Sequence, residues 1–245
     1  MNAPAAPTVS IVTISKDDPE GLLRSLASAR AQQFADYEHL LVLAGRSRDA
    51  ALPADPRLRR VDAAAPGISQ ALNAGVQAAR GTWVQFLNGG DTYADAGSLG
   101  AMVERADARV AMVCAFARVL QRDFTIPRRA LRPGRDGFLY ISHQATLFRR
   151  ALFDAHGLFE PGVRIHMDLE WLARLPQDLP YAFLARETIH FDPHGVSATQ
   201  VVEASMEEVR ILWRRPATRA RVPLVLLLLL PFRVLRRELR KWSGS

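Results

Sequence analysis

Two rhythms of apolar residues alternate through the first ninety or so positions. Val9-Ser10-Ile11-Val12-Thr13-Ile14-Ser15 is short and rich in β-branched side chains, the composition of a buried strand. After the polar break Lys16-Asp17-Asp18-Pro19, the residues Leu22, Leu23, Leu26 and Ala27 recur at helical spacing. Tyr37 to Leu43 predicts a second strand and Leu58 to Val61 a short third. Ile68, Leu72, Val76 and Ala79 form the stripe of a second helix, with Gly81 placed to end it. Thr82 to Leu87 predicts the next strand, which stops at Asn88-Gly89-Gly90-Asp91. Strand and helix in alternation predict an α/β fold with a mainly parallel central sheet and functional groups at the carboxyl ends of its strands.

The second half is less regular. Val110 to Phe116 and Ala117 to Leu120 read as strands, Arg149 to Gly157 and Met167 to Leu175 as short helices, and Tyr181 to His190 as a stretch containing a strand. There is no internal repeat and no low-complexity linker. The tail differs in kind. Its apolar run, Val222 to Phe232, is flanked by arginines and bracketed by Pro223 and Pro231. As a helix it would rise only about 16 Å, against a hydrocarbon thickness of roughly 30 Å, so it is too short to span. Arg233, Arg236, Arg237, Arg240 and Lys241 alternate with Val234 and Leu235. That pattern predicts an interfacial membrane-associating tail over residues 214–245, each cation near an anionic leaflet contributing about 1 kcal/mol. A buried C-terminal helix or an oligomer contact is the alternative reading of the same residues. Residues 1–213 then form the globular domain, with halves at about 8–107 and 108–213.

Charge sharpens this division. The chain of 245 residues carries a formal +7, but nine Lys/Arg and one Asp/Glu lie from Arg214 onward, leaving a net −1 for residues 1–213. The globular part is therefore not a basic nucleic-acid-binding surface. The single cysteine, Cys114, excludes an internal disulfide and a cysteine-based zinc cluster, and its apolar surroundings fit core packing. The N-terminal MNAPAAPTVS has neither the basic nor the apolar region of a signal peptide, which fits a reducing cytoplasm.

The chemistry starts at Phe86-Leu87-Asn88-Gly89-Gly90-Asp91-Thr92-Tyr93, where a strand ends on a glycine turn that carries a carboxylate. Glycine lets a ligand approach the backbone, and a hard divalent cation bound mainly through water and phosphate needs only one or two carboxylates. On these eight residues alone an ordinary turn is the simpler reading.

The surrounding order of segments resembles glycosyltransferase family 2, the nucleotide-sugar-dependent enzymes of GT-A fold. Val9 to Thr13 with its following helix resembles the family's first βα unit, and Pro66 to Gly75 with Ala79 to Asp91 is similar to its GIxDAxNxG and AxGxxxxFLNxGD signature. Ser142-His143-Gln144-Ala145-Thr146-Leu147-Phe148-Arg149-Arg150 and Met167-Asp168-Leu169-Glu170-Trp171-Leu172-Ala173-Arg174-Leu175 look like the HQAxxFRR and DxEWLxRL segments of the exopolysaccharide and colanic-acid-type branch. The resemblance covers roughly residues 8–200.

What it implies is an inverting, metal-dependent hexosyltransferase-type enzyme. Such an enzyme moves a sugar from a nucleotide-diphosphate sugar to a glycan or lipid-linked acceptor, peripheral to the cytoplasmic face of a bacterial inner membrane. Asp91 would be the carboxylate that holds Mg²⁺ or Mn²⁺ against the diphosphate, with His194 of the His194-Gly195-Val196-Ser197 turn as a further metal-side candidate. Thr13, Ser15 and Asp17 would line the nucleoside pocket, and Asn73 and Asn88 would face donor sugar or phosphate. His143 and Gln144 would lie on the acceptor side. Of the two acids in the last segment, Glu170 stands four residues before Arg174, the favoured order for a helical ion pair. Asp168 is therefore the expected catalytic base, with a helix N-cap as its structural alternative. His166 reads as a solvent-facing loop residue.

Several positions depart from the pattern. The acidic position before Asp91 is Gly90, and the Asp and Lys usual in the second helix are Gln70 and Ala74. The loop after the second strand lacks its leading Asp and instead offers Arg46 and Arg48 for nucleotide phosphate. These departures keep open a degenerate, non-catalytic scaffold subunit of a membrane-bound assembly complex. No GxGxxG follows the first strand, which disfavours a dinucleotide-dependent dehydrogenase.

Overall fold

The computed structural model describes residues 6–119, 126–128, 141–176, 178–192 and 200–235. The first half follows the expected alternation: β1 (Val9–Lys16), α1 (Pro19–Arg30), β2 (Tyr37–Ala44), β3 (Leu58–Arg60), α2 (Ile68–Ala78) and β4 (Trp83–Phe86). Asp18 caps α1, its carboxylate accepting the Gly21 amide at 2.8 Å with Pro19 in the first turn. β2, β1 and β4 are parallel neighbours, with β3 parallel to β2 at the edge. Their residues are buried almost without interruption because both sheet faces are covered. Val12, Leu40, Val84 and Phe86 pack under Leu72 and Val76 of α2 in one core cluster. Val9, Ile11 and Trp83 join Ala29, Leu99 and Met102 in the other.

Beyond β4 come β5 (Thr92–Tyr93), α3 (Ser98–Val103), β6 (Met112–Val119), β7 (Ile126–Arg128), β8 (Thr146–Arg149), α4 (Ala151–His156), α5 (Met167–Leu172), β9 (Tyr181–Phe191) and α6 (Val201–Arg214). Here the sheet becomes mixed. Its order among the described residues is β3-β2-β1-β4-β8-β6-β9-β5, with β7 paired to β6. β8 runs antiparallel between β4 and β6 and β5 antiparallel to β9, while β6 and β9 are parallel, so the sheet is parallel through the first half and mixed beyond β4.

Three local expectations are corrected. The two strands read over 110–120 are one strand, β6, whose pairing with β9 shifts register on both sides of Phe116; that bulge breaks the period in sequence. Gly81 does not cap α2, which closes at Ala79. Gly81 is small because the β1 backbone lies against it: an added Cβ would sit 2.6 Å from the Ser10 amide nitrogen. Two helices had no place in the sequence reading, α3 and α6, although α6 has the buried series Val201, Ala204, Ser205, Glu208, Ile211, Leu212 at helical spacing.

The tail is helical over 222–235, with a π-helical stretch at Val225–Leu229. One face packs onto the domain: Val222 and Val225 join Ile211 and Leu212 in the core. Arg233 reaches the buried Glu208 at 2.7 Å. Leu224, Leu227, Leu228, Phe232 and Leu235 remain exposed, Leu227 at 72%. Among the described residues no helix is long and apolar enough to cross a membrane.

Candidate active site

The site forms where the antiparallel pairing of β4 and β8 sets the residues after β4 beside those before β8. The turn Asn88 to Asp91 and the pair His143–Gln144 therefore meet. Gln85 ties the two sides internally: its amide donates to the Gln144 carbonyl at 3.1 Å, and Tyr93 donates its hydroxyl to the Gln85 side-chain oxygen at 2.7 Å.

Asp91 is 2% exposed. One carboxylate oxygen accepts the Asp192 amide at 2.9 Å, while Oδ2 is buried and has no hydrogen-bond partner among the described residues. Burial pushes the Asp91 carboxyl up to about 7, opposed by the Asp192 amide, the His143 ring and the Gln144 side chain, and reinforced by the Asp192 charge. The side-chain oxygen of Asn88, on the same turn, is also buried and unpartnered. Two orphaned oxygens on one glycine turn are a costly arrangement that a bound cation would relieve.

The role of Gly90 also becomes clear. Its φ is +99°, and an added Cβ would fall 2.8 Å from an Asp192 carboxylate oxygen. The Asp192 carboxylate thus lies beside the position where the missing acid's side chain would start, brought there by the antiparallel pairing of β5 with β9. Asp192 also meets Arg24 at 3.4 Å. The sequence reading missed it; the available signal was its position just before the turn singled out at His194.

Asp168 stands in the first turn of α5. That helix is anchored by Trp171, which stacks on Phe153 at 4.5 Å, meets Phe148 and Phe159 edgewise or tilted, and donates its indole N–H to the Gly157 carbonyl at 2.7 Å. Glu170 faces Arg174 at 3.1 Å, which is the ion pair its spacing predicts. Asp168 instead meets His143, Nδ1 to Oδ2, at 2.8 Å. Its other oxygen accepts the Leu169 amide at 2.8 Å. Burial works to raise the Asp168 carboxyl, but the His143 charge and hydrogen bond, helped by His166 and the Leu169 amide, hold it well below the usual carboxylate range. His166 is not solvent-facing as expected: its Nε2 is buried without a partner among the described residues. It is also the N-cap residue of α5, a position that Asp168 does not occupy.

Other expected residues are spent on the fold. Thr13 is fully buried, its hydroxyl bonded to the Leu87 carbonyl and to His39. Burial drives the His39 imidazole down to about 3, so that partner is neutral. Ser15 bonds Ser47 and lies beneath Gly89. Asn73 is clamped to the Phe159 backbone through both ends of its amide. Asp17 and Arg46 do come together at the open ends of β1 and β2, the Asp17 carboxylate accepting the Arg46 amide at 3.0 Å. Asp17 has φ 58°, a left-handed conformation held at the strand end. Arg48 is turned to the Leu43 carbonyl and Asp62. His194 lies outside the described residues.

A model of the family described as glycosyl transferase family 2 matches residues 10–161. The chain belongs to glycosyl transferase family 2. Its relatives include an uncharacterized glycosyltransferase of Mycobacterium tuberculosis, 24% identical over 224 residues, covering 84% of this chain and 83% of that one. The succinoglycan biosynthesis protein ExoO of Rhizobium meliloti is 36% identical over 123 residues, 46% of this chain and 34% of ExoO. Solved structures agree in fold. The mannosyltransferase PcManGT of Pyrobaculum calidifontis, in complex with GDP-Man and Mn²⁺, aligns at TM-score 0.69 and 15% identity over 96% of this chain and 74% of its own. S. aureus TarS, in complex with UDP-GlcNAc, aligns at 0.63 and 13% over 89% and 70%. The family 2 chain described here therefore has the GT-A fold, in which Asp91, Asp192, His143, Gln144 and Asp168 converge at the strand ends.

These residues fit a divalent cation. Among the described residues no cluster of three or more His, Cys, Asp or Glu could by itself hold a metal. A cation bound chiefly to diphosphate and water needs fewer protein ligands, and the unpaired Oδ2 of Asp91 supplies one.

Proposed function

We propose that this chain is a metal-assisted inverting glycosyltransferase. It transfers a sugar from a nucleoside-diphosphate sugar to a lipid-linked glycan acceptor during synthesis of a bacterial surface polysaccharide, at the cytoplasmic face of the inner membrane. The observation that carries the reading is the convergence of Asp91, with its unpaired buried oxygen, and the hydrogen-bonded pair His143–Asp168. A cation held by Asp91 would neutralise charge on the departing diphosphate. Asp17 and Arg46, exposed at the ends of β1 and β2, orient the nucleotide. The His143–Asp168 pair takes the proton of the attacking hydroxyl, and attack from the face opposite the diphosphate inverts the anomeric centre.

The UDP-GlcNAc and GDP-Man bound by the two structural relatives support the donor class, and the role named for ExoO supports the polysaccharide. The exposed apolar stripe of the tail, with Arg214, Arg219 and Arg221 nearby in sequence, supports a membrane-bound acceptor. It equally suits a contact between copies of the chain.

The test is calorimetric titration of the full chain with UDP, GDP, TDP and CMP, each with and without Mn²⁺, beside Asp91→Asn. Micromolar binding of one nucleotide that requires both metal and Asp91 is expected. Binding of none would sink the transferase reading in favour of a non-catalytic scaffold. Flotation with anionic-lipid vesicles, against a Leu227→Asp/Leu228→Asp variant, checks the tail: a wild-type chain that stays unbound removes the membrane from the reading.

A further inference from the structure

We propose that His143, through Nε2, is the group that takes the proton from the attacking hydroxyl, and that Asp168 is the positioning residue that holds the ring. The proposal rests on the transfer reading above and concerns which member of the pair does the chemistry.

Both oxygens of Asp168 are already engaged, Oδ1 by the Leu169 amide and Oδ2 by His143 Nδ1, each at 2.8 Å. A carboxylate that already accepts on both oxygens is the less available to a further proton, whereas the second ring nitrogen of its partner is unengaged among the described residues. As an ionised carboxylate, Asp168 can only accept a hydrogen bond, so the neutral ring carries its proton on Nδ1 and its lone pair on Nε2. No hydrogen bond to that nitrogen is present among the described residues. The ring is held edge-on against Phe86, with centroids 6.0 Å apart, and 12% of the side chain is exposed.

The surroundings suit the charge that develops. The β4–β8 pairing brings the Asp91 turn and His143 to the same end of the sheet, near enough for His143 to act on the ionisation of Asp91, so the proton acceptor lies close to the diphosphate-side carboxylate. The charged and titratable groups acting at the ring are Asp168 from α5 and Asp91 from the β4–β5 turn, and His166 acts on Asp168.

The step balances without a further reagent. The hydroxyl oxygen forms a bond to the anomeric carbon as the bond from that carbon to the phosphate oxygen breaks. The electron pair leaves with the nucleoside diphosphate. The hydroxyl proton passes to Nε2, and the imidazolium, paired with Asp168, returns it to water after the products leave.

His143→Asn separates the two roles. The asparagine amide can still donate to Asp168 from the place of Nδ1, but nothing remains at the place of Nε2. The assay is nucleoside diphosphate release by the full chain from UDP-GlcNAc and from GDP-mannose with Mn²⁺, and nucleotide binding by calorimetry confirms that the variant is folded. The expected result is a loss of turnover of about 10²-fold or more with affinity unchanged. Partial recovery is expected in His143→Gly when imidazoles are added, rising with their basicity. Turnover of His143→Asn within about threefold of wild type overturns the proposal and makes Asp168 the base. Loss in both variants with no recovery by any imidazole overturns it too, since a purely structural ring behaves that way. A wild-type chain that binds none of UDP, GDP, TDP and CMP removes the transfer reading itself, a result distinct from an active wild type with an active His143→Asn.

Discussion

Replacing Asn73 by alanine should cost stability and leave nucleotide affinity intact. The side chain is 7% exposed, and its amide donates to the Phe159 carbonyl at 2.8 Å while accepting the Phe159 amide at 2.9 Å. Phe159 is thereby inserted among Phe86, Phe153 and Trp171, so the clamp ties α2 to the aromatic cluster under α5. Alanine leaves one backbone donor and one acceptor unsatisfied. At about 1–3 kcal/mol for each buried group, and with some relaxation toward water, the loss should be roughly 2–4 kcal/mol. For a domain of this size that is a fall in Tm of roughly 5–15 °C. Urea denaturation should show a lower midpoint at an unchanged m-value. Asn73→Asp supplies a sharper control. It keeps the acceptor for the Phe159 amide but turns a second carboxylate oxygen toward the Phe159 carbonyl, so it should be the worse variant at neutral pH. It should regain stability as acid protonates it and restores a donor. A change below about 0.5 kcal/mol for the alanine variant would refute the clamp. A collapse of nucleotide affinity without loss of stability would return Asn73 to the donor pocket.

Two further outcomes follow from the same geometry. Gly90→Asp, which rebuilds the acidic doublet expected of the turn, should weaken metal-dependent nucleotide binding, because the new Cβ would overlap the Asp192 carboxylate at a φ of +99°; improved binding would show that the Asp192 carboxylate does not obstruct that position. Glu38, buried at 4% exposure, feels burial raising its pKa but hydrogen bonds from Ser10, Arg80 and Arg59 lowering it further, to a net value below 4.5. A depressed carboxyl contributes stability above its unfolded value and loses it as pH falls through the folded one. The gap in urea midpoint between wild type and Glu38→Gln should therefore be full at pH 7 and shrink as pH falls below the ordinary glutamate range; a gap that widens in acid contradicts the assignment.

The parts of the fold legible in the sequence are those with a local signal. β1, α1, β2, α2 and β4 each carry a run or stripe of apolar residues several positions long, and each lies within a residue or two of where its pattern puts it. The Glu170–Arg174 pair was legible because helical spacing alone decides it. What escaped depends on pairing between distant segments. The bulge in β6 exists only against β9, and Gly81 is small because of β1, not because of its own helix. Asp192 becomes part of the site through two residues of β5, too short a strand to announce itself. Thr13, Ser15 and Asn73 have hydroxyl and amide groups suited to a ligand, yet neighbouring backbone and side-chain groups occupy them, and one-dimensional chemistry does not distinguish the two uses.

The bond from the Asp192 amide to Asp91 joins residues 101 positions apart. During synthesis at about 5–20 residues per second, Asp192 is added roughly 5–20 s after Asp91. The parallel half of the sheet has its strands by then, but the carboxylate on its turn has neither its amide donor nor its neighbouring acid. If the proposed function holds, a nascent or interrupted chain that stops short of β9 would resemble the finished protein along β1, β2 and β4 yet lack both partners of that carboxylate, and unfinished copies would then not compete with complete ones for a nucleotide-sugar donor.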